Sequence, residues 1–143
     1  MAIYVEDLEY ESGSSTWAKV RHGGFLFRAL VNGKQSELQR LLGRECLVEL
    51  GFEKVASWRI VAGFKSEDSC IKASTEVPGG ICVMGEVHSV MPINSGAALV
   101  DMYLQTGPEF LAIESTELGG TVPSVGMGLE VTLLGLCFYP TNF

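Results

Sequence analysis

The chain contains no lysine or arginine after Lys72; all ten of its cations lie between Lys19 and Lys72. It has no apolar run near the roughly 18 residues that a membrane-spanning helix needs. Its start, MAIYVEDLEY, has neither the basic region nor the apolar stretch of a signal peptide. No CxxC pair occurs among the four cysteines (Cys46, Cys70, Cys82, Cys137), which excludes a zinc ribbon or a thioredoxin-type motif. Without a secretory signal these thiols read as reduced and mostly buried, and the chain as cytoplasmic, with no membrane partner. GxSxG, HExxH and Walker sequences are absent, and only two histidines exist, so acid/base catalysis of a hydrolase-like or metal-dependent kind is limited to His22, His88 or a tuned carboxylate. No cofactor is implied.

What is present is apolar. Hydrophobic residues make up 47% of the 143 residues and charged ones only 19%, below the usual quarter. That balance calls for a generous core, or for surface covered by another subunit. The seventeen acids divide as ten before position 73 and seven after it, so the halves carry formal charges of 0 and −7. The second half is therefore expected to present an acidic face, either to a cationic partner or to the basic part of a neighbouring copy.

Period-two patterns dominate the chain. TWAKVRHGGFLFRALV reads as a hairpin turning at Gly23-Gly24, a dipeptide suited to positive φ. In that register Val20 faces Phe27, Ala18 faces Ala29 and Thr16 faces Val31 on one mostly apolar side. Trp17, Lys19, Arg21, Leu26, Arg28 and Leu30 occupy the other side. A short α-helix is predicted at about 33–42, capped by Asn32 with Gln35 as box partner, leucines 38, 41 and 42 inward and Gly43 as its stop.

Strands are predicted in ECLVELGF and KVASWRIVAGF, then a short one at Cys70–Ser74 within a polar excursion. ICVMGEVHSVMPI follows, then a second hairpin turning at Thr106-Gly107-Pro108-Glu109. The last strand region, LEVTLLGLCFYP, is apolar on both faces, with a bend or bulge at Gly135. These elements describe a mainly β protein, a small antiparallel β-barrel with one short helix, similar in plan to the oligonucleotide/oligosaccharide-binding (OB) barrel; a β-sandwich is the alternative. The chain reads as a single domain. GGFLFRAL followed by GRECLVELGF echoes GPEFLAIE followed by GLEVTLLGL, which raises a second reading of two similar β-rich halves, 1–64 and 80–143, sharing one core.

CVMGEVHSV carries the densest reactive side chains. Along a strand Glu86 and His88 lie ~7 Å apart on one face, whereas Cys82 is ~20 Å from His88 and cannot join the same coordination shell. With Asp101 from the following hairpin they form a candidate acid/base or metal site, although a solvated strand face accounts for them more simply. His22, beside the glycine turn, reads as structural. The glycine-rich GGTVPSVGMG leads into a strand and lacks a nearby cation, so it reads as a loop rather than a phosphate cradle.

Trp17, Lys19, Arg21 and Arg28 offer an aromatic platform with cations, the combination that single-stranded nucleic acid binders use, but the pI near 4.8 opposes that use. Phe25, Phe27, Trp58, Met84, Met102, Tyr103 and Tyr139 are candidate walls of a pocket for an apolar or amphipathic ligand, although ordinary core accounts for them more simply, because large apolar side chains routinely fill small barrels. The leading expectation is a non-enzymatic binding or assembly protein, homo-oligomeric, meeting a protein partner with a basic surface through complementary charge. A small-molecule-binding barrel is the alternative. An enzyme using Glu86 and His88 and a nucleic acid binder rank below both.

Overall fold

The computed structural model describes residues 1–105 and 109–141. The protein is mostly β with one short helix, and it divides into two compact units. The first comprises Met1–Glu53 and the stretch from Gly135 onward; the second is Lys54–Leu134.

The first unit is a closed five-stranded barrel in the order β1-β2-β3-β11-β4. Strand β1 (Ala2–Ser12) pairs with both β2 (Ser15–His22) and β4 (Glu45–Gly51), all antiparallel. Strand β3 (Phe25–Asn32) pairs in parallel with β11 (Cys137–Pro140), which closes the ring against β4. The β2–β3 hairpin has the expected register, with Val20 opposite Phe27, Ala18 opposite Ala29 and Thr16 opposite Val31. All six of those side chains are buried. Gly23 (φ 55°) and Gly24 (φ 85°) supply the left-handed turn, a conformation that costs glycine nothing. His22 is buried at its base, its Nδ1 2.9 Å from the Ala2 carbonyl, so it ties β1 to β2. Phe27 and Phe138 meet at 6.2 Å between centroids in the barrel core.

Two local readings need correction here. The helix comprises only α1 (Gln35–Leu38) and a 3-10 turn, Gln39–Leu41. Its cap is Lys34, not Asn32, which still belongs to β3; Gly33 (φ 132°) breaks the chain direction between them. The reciprocal partner is Glu37, whose carboxylate accepts the Lys34 N–H at 3.2 Å, while the Gln35 N–H is taken by Glu11 at 2.9 Å. Leu38 and Leu41 are buried as expected, but Leu42 is 38% exposed. Gly43 (φ 71°) ends the segment. In addition, β1 is a strand that the alternation hides, because register shifts at Val5/Asp7 and Leu8/Tyr10 interrupt its period.

The second unit is a sheet in the order β5-β10-β7-β8-β9, with β6 beside β7. Its strands are β5 (Lys54–Val61), β6 (Cys70–Ala73), β7 (Ile81–Asn94), β8 (Ala97–Leu104), β9 (Glu109–Glu114) and β10 (Gly128–Leu134). Apart from Glu109, the turn read between β8 and β9, Thr106-Gly107-Pro108-Glu109, lies outside the described residues. The inward row contains Ile71, Val83, Val87, Val100, Met102, Leu111, Ile113, Leu129, Val131 and Leu133, all buried. Gly85 is needed where β7 meets β8: a Cβ there would stand 2.6 Å from the Tyr103 carbonyl oxygen.

LEVTLLGLCFYP is two strands, not one. β10 belongs to the second unit and β11 to the first, with Gly135 (φ 71°) between them. Leu129, Val131 and Leu133 fill one core and Phe138 the other, with the inward parity reset at the glycine. That reset is why the segment looks apolar on both faces.

The two units share a strand plan. β7, β8, β9, the 3-10 turn Ser115–Leu118 and β10 follow the order of β1, β2, β3, the helical turn and β4. In each unit the first strand pairs with the second and the fourth, and the fourth pairs antiparallel with a further strand. That further strand is exchanged: β5 follows β4 in sequence but pairs with β10, and β11 follows β10 but pairs with β4. The two sequence echoes fall on equivalent strands, β3 with β9 and β4 with β10.

Candidate functional site

The outward row of the second unit forms a recess lined by charged and hydroxyl side chains. Because Ile71, Val83 and Val131 point into the core, their neighbours point out. One cross-strand line runs Lys72, Cys82, Thr132, Ser57, and the next runs Cys70, Met84, Glu130, Arg59. The loop after β6 folds over this face. Its Ser74 Oγ accepts the N–H groups of Glu76 at 3.2 Å and Val77 at 3.0 Å, and the Ser74 N–H donates to Gly80 at 2.9 Å.

Between loop and sheet lies a cavity of about 250 Å³ lined by Arg59, Lys72, Ser74, Thr75, Glu76, Cys82, Glu130 and Thr132. A second cavity of about 350 Å³, lined by Ser57, Trp58, Arg59, Glu76 and Glu130, shares its wall. That wall is an ion pair: Arg59 Nε and Nη2 donate to the two Glu130 oxygens at 3.1 and 3.0 Å, a bidentate fork. The floor is less polar than it looks. Burial, and then the Glu130 charge, push the Cys82 thiol up to about 11, and burial also raises Cys70.

This has a testable consequence. Cys82 is protonated at neutral pH, so its alkylation by iodoacetamide should be slow and should accelerate about tenfold per pH unit up to about 11. Mass-spectrometric labelling of the native protein reads this; fast modification at pH 7 would contradict it. The same shift contributes stability that is present below pH 9 and lost as pH rises through about 11, because the folded state holds the proton more tightly.

The residues singled out from sequence are placed as follows. Trp58 lines the second cavity but stands opposite the inward Val131 in the ladder, and Met84 is half-buried on the outward face. Phe27 and Met102 are core side chains of different units, while Phe25 and Tyr139 are 40% and 44% exposed on the first unit. The Tyr139 ring covers Gly51, where a Cβ would stand 2.9 Å from it. The proposed walls are thus distributed over both units.

Glu86, His88 and Asp101 share the outer face of β7 and β8, but a register shift between Val87 and Ser89 changes their contacts. Asp101 accepts from Ser89 Oγ at 3.2 Å, Glu86 stands opposite Tyr103, and His88 packs edge-on against Phe110 at 5.0 Å. Among the described residues no group of three or more His, Cys, Asp or Glu is placed to hold a metal ion.

Trp17, Lys19, Arg21 and Arg28 do lie on one face, with Arg28 5.3 Å above the Trp17 ring. That face is neutralised by β1: Glu6 takes Arg21 and Glu9 takes Arg28, each at 2.8 Å, and Glu11 approaches Lys34 at 3.8 Å.

The recess residues Arg59, Lys72, Ser74, Thr75, Glu76, Glu130 and Thr132 went unread in the sequence. They come from three strands and a loop, and only the pairing of β6, β10 and β5 with β7 brings them together.

No protein-family model and no curated protein matches the chain. Among solved structures, the cytoplasmic molybdate-binding protein ModG, in a form with molybdate bound, is similar with a TM-score of 0.57 at 17% identity. The match covers 94% of this chain and 92% of that one. At this identity the likeness shows the fold, an OB-type barrel. No helix among the described residues is long and apolar enough to cross a membrane.

Proposed function

We propose that this chain is a small-molecule-binding barrel protein whose ligand sits in the recess between the loop 73–76 and the sheet of the second unit. One observation carries the reading: the recess is charge-balanced, with Arg59 and Lys72 facing Glu76 and Glu130 and hydroxyls from Ser74, Thr75 and Thr132 between them. Such a lining favours a compact polar ligand bearing both charges, or a neutral one with donors and acceptors, over an isolated ion. The fold of ModG, itself a binder of a small ligand, is consistent with this use. A dianion would have to enter beside two carboxylates, so selectivity here should differ from that protein's.

The test is a thermal-shift panel of amino acids, betaines, polyols and oxyanions including molybdate. A ligand at about a hundredfold over its Kd should raise Tm by roughly 5–10 °C. Lys72→Ala and Glu130→Gln should each abolish the shift. No response to any zwitterion or polyol, or a shift only with molybdate, would refute this reading.

A further inference from the structure

The outward side of the sheet continues past the recess along β7, from Met84 to Glu86 and His88, onto β8 and β9. His88, Tyr103 and Phe110 stand together there, with ring centroids 5.0 Å apart for His88–Phe110, 5.2 Å for Tyr103–Phe110 and 6.4 Å for His88–Tyr103. Phe110 is 48% exposed and Met91, further along the same face, 56%. Exposed aromatic rings gathered into one patch, rather than scattered singly, mark a docking surface.

The ladder sets carboxylates around the patch. Glu86 lies opposite Tyr103 in the ladder, and Asp101 and Glu114 follow on β8 and β9. The whole segment from Ala73 to Leu134 contributes no lysine or arginine. Rings with accessible faces and flanking carboxylates attract a cation twice, through the ring quadrupole and through direct charge.

We infer that this face docks a lysine- or arginine-rich segment of another protein. A second copy of this chain is a poor occupant on charge. The first unit holds six cations against eight acids and the second four against nine, so they carry formal charges of −2 and −5. Arg21, Arg28 and Lys34 of the first unit already face Glu6, Glu9 and Glu11. The occupant is therefore a foreign basic chain, which lays its side chains across the rings while its charges meet Glu86 and Asp101.

Fluorescence anisotropy of a labelled oligolysine peptide, titrated with the full chain at low and at physiological salt, tests this. Binding should be measurable at low salt and weaken as salt rises. Phe110→Ala removes a ring and no charge, and should weaken binding about tenfold. The pair Glu86→Gln and Asp101→Asn should weaken it at least as much, whereas Glu37→Gln, on the other unit, should leave it unchanged. Three results would overturn the inference: no binding at low salt, unchanged binding by Phe110→Ala, or an equal loss in Glu37→Gln. The second and third would mean that diffuse net charge attracts the peptide. Concentration-dependent self-association that Phe110→Ala abolishes would also overturn it, in favour of a second copy.

Discussion

Phe138→Ala is expected to cost about 3–5 kcal/mol, the range for a fully buried phenylalanine cut to a methyl group. Phe138 has no exposed surface, packs against Phe27, and sits on the four-residue strand that joins β3 to β4. The substitution leaves a void where the ring stood and loosens the closing strand together with it. Urea denaturation should show the midpoint of the first unit falling sharply. Tyr139→Ala, one residue along and 44% exposed, should cost far less. Equal costs for the two would mean that β11 is not the internal closing strand.

Gly85→Val should be comparably damaging, for a different reason. The added side chain would begin 2.6 Å from the Tyr103 carbonyl oxygen and 2.8 Å from Leu104 Cδ2. Backbone cannot rotate away as a flexible side chain can, so β7 and β8 must separate and give up ladder hydrogen bonds. Overpacking alone typically costs about 1–3 kcal/mol, and the lost pairing adds to it. By contrast Gly13→Ala, at a turn with open space around it, meets only the strain of its left-handed φ of 64°. The thermal midpoints of the two variants make the comparison; a smaller loss for Gly85→Val would place β7 and β8 further apart than the structure has them.

What the sequence disclosed follows from how far its signals reach. Gly23-Gly24 fixes a local turn, and a two-residue turn fixes register, so the facing pairs of β2 and β3 were readable to the residue. β1 was not, because its two register shifts place Glu6 and Asp7 side by side where alternation would need one apolar residue. That omission also left the row of Lys19, Arg21 and Arg28 looking cationic, when its counter-charges lie on the unread strand. The exchange of β5 and β11 was equally hidden, since no local pattern says which sheet a strand joins. The recess suffered most: Arg59 and Glu130 are 71 residues apart in sequence and meet only through the β5–β10 pairing. Trp58 was noticed as a candidate wall and Cys82 as a reactive side chain, but the cavities they line depend on the same pairing.

Native mass spectrometry of gently purified protein, with and without the zwitterion that gives the largest thermal shift, most directly tests the claim that the recess binds a small ligand. The expected spectrum shows one ligand per chain on the unaltered protein, and none on Lys72→Ala or on Glu130→Gln with their folds intact. Bare chain in every spectrum, or a ligand retained equally by both variants, would contradict the claim.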